Sequence, residues 1–282
     1  VFQFSCPLRW GDLDAQGHVN NAVVVDYLQE ARVAFLRSGP ATALLDTGIV
    51  VVGHQVEYHR PIDYIPDSVT IDLGVSQLGG SRIEIAYAIR QGGEVAALAR
   101  TVLCPFDFDE QRPVRLSPQD RKFFDGHRIE VEKLRPIPAP DLRGRGLAVP
   151  IHVRWSDLDA YGHVNNATFF DYVQQARVAA TTLWDPEMAR AGSPGSDRLW
   201  LVVRQDVDFV SQLSHRIEAY EARVAPVKLG GSSMTLSTEL VNPDDGTLYA
   251  RGRTVLVSAG LDGRPLDLGD RTRELLEPHL VG

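Results

Sequence analysis

One stretch occurs twice in this sequence, and any fold the chain adopts has to present it twice. Residues 9–34 read RWGDLDAQGHVNNAVVVDYLQEARVA, and residues 154–179 read RWSDLDAYGHVNNATFFDYVQQARVA. At an offset of 145 residues, 19 of the 26 positions are identical. A second phrase, Leu-Gly-Gly-Ser, recurs at 78–81 and 229–232, an offset of 151. The second copy therefore gains six residues between the two phrases, and the Gly- and Pro-containing loop near 192–195 is the place expected for them. With 282 residues, the chain reads as two consecutive domains of ordinary size, 1–130 and 147–282. The segment 131–146 joins them; its stretch PIPAPDLRGRG has Pro, Gly and charge and little to bury.

Within each copy the period of the apolar residues changes once. Residues 1–10 and 147–155 read as strands that run into a Gly-containing polar loop. From about residue 22, Val24, Tyr27 or Leu28, Ala31, and Ala34 or Phe35 recur at three and four, which predicts a helix with one apolar face. Phe170, Tyr172 or Val173, Ala176 and Ala180 repeat the pattern. Asn20 and Asn165 stand just ahead of these helices, where an Asn side chain accepts from first-turn amides. Gly39-Pro40 stops the first helix. Four strands follow, at 49–58, 69–78, 82–90 and 94–104, with turn residues between them. In the second copy they fall at 199–209, 215–226, 232–241 and 247–257. Ile83, Ile85, Tyr87 and Ile89 alternate strictly, so one face of that strand is buried. A short helix, carrying Phe123-Phe124 and Leu275-Leu276, closes each half. The class is α+β: a long helix wrapped by an antiparallel sheet, twice.

Composition excludes several functions. A formal net charge of −8 argues against nucleic acid as a partner, because phosphate binding needs a basic surface. No run of apolar residues is long enough for a membrane-spanning helix. No signal peptide is legible, although a chain that opens on Val1 can have lost one by trimming. Cys6 and Cys104 are the only cysteines, which suits a reducing cytoplasm rather than a disulfide framework. No HxxxH or cysteine cluster offers a metal site, and neither GxSxG nor GxGxxG occurs. No cofactor is implied.

The polar loop is what carries chemistry. Asp12 and Asp14 are two apart, as are Asp157 and Asp159; Gly17-His18 and Gly162-His163 follow, then Asn20-Asn21 and Asn165-Asn166. Each of these residues has an ordinary structural use, since Asp and Asn shape turns and His caps helices. Together, at the start of a long helix, they place a carboxylate beside free amides and positive potential. Amides so placed stabilise a carbonyl oxygen as it gains charge, and a nearby Asp activates water or attacks directly. The lack of a Ser or Cys with a poised His in the motif argues against a classical acyl-enzyme triad.

The pattern D-x-D-x-x-G-H-V-N-N followed by a D-Y-x-x-x-A-R helix resembles the acyl-CoA thioesterases of the hot-dog fold, in the branch similar to 4-hydroxybenzoyl-CoA thioesterase. The resemblance covers both halves, with Glu57-Tyr58 and Arg60-Pro61 also fitting it. It implies two tandem hot-dog domains arranged as a pseudo-dimer and hydrolysis of an acyl thioester carried on CoA or on an acyl-carrier protein. It places the base or nucleophile on Asp14 and Asp159 and the carbonyl-polarising amide near Asn21 and Asn166. Gly17, His18, Asn20, Gly162, His163 and Asn165 support the loop or the substrate. Further association of the tandem chain into a homo-oligomer is compatible with it.

The halves are not equal. Glu30 becomes Gln175, Gln16 becomes Tyr161, and Arg60-Pro61 becomes Ser211-Gln212, so one pocket can have lost its use. Arg32 and Arg177 read as partners of an internal ion pair or of the loop. Trp10, Trp155, Phe169 and Phe170 read as core aromatics, with an acyl-pocket lining as the other use. Two rivals stand beside the hydrolase. A hot-dog enoyl-CoA hydratase or dehydratase would keep the fold, but its loop carries a Pro and a five-residue Asp–His spacing that are missing here. A non-catalytic acyl-thioester binder is the other.

Overall fold

The computed structural model describes residues 1–65, 68–188 and 196–281, and the chain divides into two compact units, Val1–Arg135 and Pro136–Gly282. The division falls within the segment expected to join the domains. The Gly- and Pro-containing loop at 192–195 lies outside the described residues.

In the first unit the order is β1 (Phe2–Cys6), α1 (Val23–Arg37), α2 (Ala43–Thr47), β2 (Ile49–Tyr58), β3 (Val69–Leu78), β4 (Ile83–Gln91), β5 (Glu94–Asp107), the two-residue β6 (Arg112–Pro113) and α3 (Pro118–Asp125). The main strands lie in the sheet order β1-β3-β4-β5-β2, each pair antiparallel. The second unit repeats the design with β7 (Leu147–Ile151), α4 (Thr168–Trp184), β8 (Arg198–Phe209), β9 (Tyr220–Leu229), β10 (Ser233–Val241), β11 (Leu248–Gly260) and α5 (Asp270–Leu276). Its order, β7-β9-β10-β11-β8, matches strand for strand. The expectation of a helix laid on an antiparallel sheet, twice over, holds.

Pleat and helical period together build each core. Ile83, Ile85, Tyr87 and Ile89 are all buried, and the register sets them beside Leu78, Val75, Leu73 and Ile71 of β3 and Leu103, Thr101, Ala99 and Ala97 of β5. Against this face α1 presents Val24, Leu28, Ala31 and Phe35, all buried. The Phe35 ring meets Phe2, Phe123 and Phe124, so the short closing helix packs on the far end of the long one. In the second unit a Cβ on Gly252 of β11 would stand 2.9 Å from Val173 Cγ2 of α4, so a larger residue there would force that side chain to move.

Three differences from the sequence reading have physical causes. β9 begins at Tyr220, not near 215, because 210–219 is a loop whose Arg216 guanidinium lies over the Tyr220 ring. After Gly39-Pro40 the chain makes a further helical segment, α2, which is too short for periodicity to reveal. Leu142 of the joining stretch, where little was expected to be buried, is fully buried with Ala225 and Val281. Its backbone N–H donates to Glu239 Oε1 at 3.2 Å, and Arg251 holds the same oxygen at 2.7 Å. Leu142→Ala is expected to lower stability by about 3 kcal/mol, as for other buried Leu truncations. Urea denaturation measures it, and a change below about 0.5 kcal/mol would mean that the segment is not anchored there.

Candidate active site

Each copy of the loop is built on its first Asp, not its second. Asp12 is 4% exposed, and its carboxylate accepts from the Arg9 amide at 2.9 Å, Arg9 Nε at 2.9 Å and the Tyr27 hydroxyl at 2.6 Å. Its carbonyl takes the Asn20 amide at 2.8 Å. This one residue ties the end of the entering strand to the loop and to the first turns of α1. Asp157 repeats the arrangement, accepting from the Arg154 amide at 2.8 Å and the Tyr172 hydroxyl at 2.5 Å, and its carbonyl takes the Asn165 amide. Burial works against ionisation of Asp12, but the Tyr27 hydroxyl and the Arg9 guanidinium and amide outweigh it, so the carboxyl sits below its ordinary value. Burial, and then the neighbouring carboxylate, push the Tyr27 and Tyr172 hydroxyls well up.

A lowered folded-state value has a definite consequence for acid stability. The stabilisation from Asp12 is fully present above the ordinary carboxylate range and disappears as pH falls through the lowered value. The wild-type protein is expected to weaken below about pH 4, whereas Asp12→Asn starts roughly 2 kcal/mol lower at neutral pH and changes less with acid. Urea midpoints across pH 3–7 test this, and parallel curves for the two proteins would contradict it.

The second Asp is differently placed. Asp14 is half-buried, and its Oδ1 accepts the Gln16 amide at 2.8 Å. Among the described residues its Oδ2 has no partner. The turn it begins is closed by Gly17 N–H to the Asp14 carbonyl at 3.0 Å and by Asp14 N–H to the His18 carbonyl at 2.8 Å. Gly17 adopts φ +82, a conformation side chains disfavour, which explains a glycine there. Asp159, also half-buried, has its Oδ1 on the Tyr161 amide at 2.9 Å and the His163 amide at 3.4 Å; Gly162 takes φ +79.

His18 faces Asp63, with Nε2 at 3.7 Å from Oδ1, and forms a β-bridge with it; the adjacent Val19 amide bonds the Ile62 carbonyl at 2.9 Å. It thus fastens the loop to residues 62–63. Asn20 Oδ1 accepts the Ala22 amide at 2.9 Å, as Asn165 Oδ1 accepts that of Ala167 at 3.0 Å. The Asn20 carbonyl accepts the Val23 amide at 3.0 Å. In a trans peptide the N–H points opposite to the C=O, so the Asn21 N–H points away from the helix. It finds no acceptor among the described residues. The structure thus brings an unengaged carboxylate oxygen and an unengaged amide to one short loop.

Other expectations change. Arg32 is 5% exposed and forms no ion pair among the described residues; its buried Nη1 has no partner. Trp10 and Trp155 are 73% and 77% exposed, so they are not core. Each meets a ring from across the loop, Trp10 that of Tyr64 and Trp155 that of His215. Phe169 and Phe170 are buried as expected. The Tyr anchors of the first Asp went unread as such, although Asp12–Tyr27 and Asp157–Tyr172 share a fifteen-residue separation. Among the described residues no group of His, Cys, Asp and Glu could hold a metal ion, and no helix is long and apolar enough to cross a membrane.

Comparisons with known proteins bear on the family and the fold. A family model described as the thioesterase-like superfamily matches residues 8–125 and again 153–276. Among solved structures, the 12:0-ACP thioesterase of Umbellularia californica superposes with a TM-score of 0.74 at 13% identity, over 91% of this chain and 94% of that one. An acyl-ACP thioesterase of Bacteroides thetaiotaomicron gives 0.67 at 14% identity, over 90% and 97%. At such identities the likeness is one of fold. A search of curated proteins finds no match.

Proposed function

Because the chain belongs to the thioesterase-like superfamily, we propose that it hydrolyses an acyl thioester, with the second Asp of a loop, Asp14 or its counterpart Asp159, as the base. The observation that carries this reading is the pair of unengaged groups on the first loop, Asp14 Oδ2 and the Asn21 N–H. A water molecule held by the carboxylate loses its proton to Oδ2 as its oxygen attacks the thioester carbonyl carbon. The carbonyl oxygen, gaining negative charge, is held by the Asn21 amide at the positive end of α1. Collapse of the tetrahedral intermediate breaks the C–S bond. The thiolate takes the proton from the Asp, leaving free acid and free thiol. His18, Asn20 and Gly17, with His163, Asn165 and Gly162, hold the two loops in shape, and Asn166 corresponds to Asn21.

The thiol is carried on CoA or on an acyl-carrier protein. Release of free thiol from short, long and aromatic acyl-CoAs, and from an acyl-carrier-protein thioester, tests the reading. Release from any of them supports it. Tight binding of acyl-CoA with no thiol from any member would leave a binding protein instead. Loss of enoyl-thioester absorbance without thiol would indicate a hydratase.

A further inference from the structure

The two loops differ at the helix start. In the first unit the Tyr58 hydroxyl, from the end of β2, donates to the Asn21 carbonyl at 2.8 Å. The corresponding residue in the second unit is Phe209. Each is the last residue of its strand, and each lies opposite an alanine of the neighbouring strand, Ala97 for Tyr58 and Ala250 for Phe209. Phe209 has no hydroxyl to donate. Its ring instead stands edge-on to Phe169 in the first turn of α4, with centroids 5.0 Å apart and planes at 87°. Phe169 in turn takes the place that Val24 holds in α1. A hydroxyl and a small aliphatic side chain at one site are thus two phenyl rings at the other.

This difference falls on the residue whose amide faces the reacting carbonyl. The peptide before Asn21 is fixed by the Asn20 carbonyl accepting from Val23, and the peptide after it by Tyr58. With both peptides fixed, φ and ψ of Asn21 are fixed, and its N–H keeps one direction. A donor that need not reorganise stabilises a developing oxyanion best. Phe209 cannot perform this service for Asn166, and the paired rings take up the space beside that helix start.

We infer that Tyr58 is a positioning residue for the Asn21 amide, and that hydrolysis runs at the Asp14 loop while the second copy serves the fold. This inference rests on the thioesterase reading.

Thiol release from the acyl-CoA that the wild-type protein cleaves best, measured on the full chain, tests it with two variants. Asp14→Asn alone is expected to lower kcat by at least about a hundredfold, the scale of a lost general base. Tyr58→Phe, which copies the second unit, is expected to lower kcat roughly tenfold with KM within about twofold and an unmoved pH–rate profile, as for a loosened transition-state donor. Asp14→Asn retaining half the turnover or more would show a working second site and overturn the inference while leaving the thioesterase reading intact. Tyr58→Phe with unchanged kcat, or with a raised KM alone, would overturn the positioning role. A wild-type protein that releases no thiol from any thioester would instead refute the underlying reading and this inference with it.

Discussion

Replacing Asp14 and Asp159 together by Asn is expected to lower thioester turnover by about 10²–10⁴-fold while the protein melts within a few degrees of its parent. The two halves of this expectation have separate causes. An Asn side chain keeps an oxygen where Asp14 Oδ1 accepts the Gln16 amide and where Asp159 Oδ1 accepts the Tyr161 amide, so both turns survive. The folding weight of each loop rests on Asp12 and Asp157, which the variant leaves alone. What disappears is the second carboxylate oxygen and its capacity to take a proton from water. Initial rates of thiol release together with a circular-dichroism melt separate the two effects. Undiminished turnover would remove both Asp residues from the chemistry, whereas loss of fold would show that the turn needs the charge.

The second large effect is expected on stability, at Asp206 on β8. This carboxylate is 1% exposed, with Arg204 Nε at 2.5 Å and Arg253 Nη2 at 3.6 Å, and Arg253 also reaches Asp208. Burial pushes the Asp206 carboxyl above its ordinary value although both guanidiniums pull it down, so its charge depends on their contact. Asp206→Ala takes a close carboxylate from two buried guanidiniums, each 5% exposed, leaving Arg253 its contact with Asp208, and is expected to cost about 3–5 kcal/mol. The melting temperature should fall on the order of 10 °C. Replacing Arg204, Asp206 and Arg253 together by apolar residues of similar volume should recover most of the loss, since the expense lies in unpaired charge rather than in the missing pair. Denaturant midpoints of the two variants check this, and equal destabilisation by both would refute it.

The repeat made the doubled architecture legible because duplication displays which spacings the chain keeps. Strict alternation at Ile83–Ile89 and the three-four rhythm of α1 located the buried faces, since both patterns follow directly from backbone geometry. The buried ion network was invisible for the same reason. Arg204, Asp206 and Arg253 alternate as a solvated strand face would, and only tertiary cover distinguishes the two. Within the site, sequence gave the two Asp residues of each loop no separate tasks until the family resemblance named the second. The geometry does distinguish them: Asp12 is surrounded by donors, and Asp14 keeps an oxygen unengaged. Tyr58 fits the family-like stretch in the sequence, but nothing local connects it to Asn21, thirty-seven positions away, because the contact is made by folding.

The exposed Trp10 has a practical consequence. Its indole stands in water two residues before Asp12 and four before Asp14, on the loop that a thioester would have to approach. Trp155 holds the same place on the other loop, whereas Trp184 is buried. The protein therefore carries a native fluorophore beside each loop, and shielding of either ring would shift its emission to the blue. In a variant with no turnover that shift reports occupancy without a label, and replacing one indole at a time tells which loop is occupied.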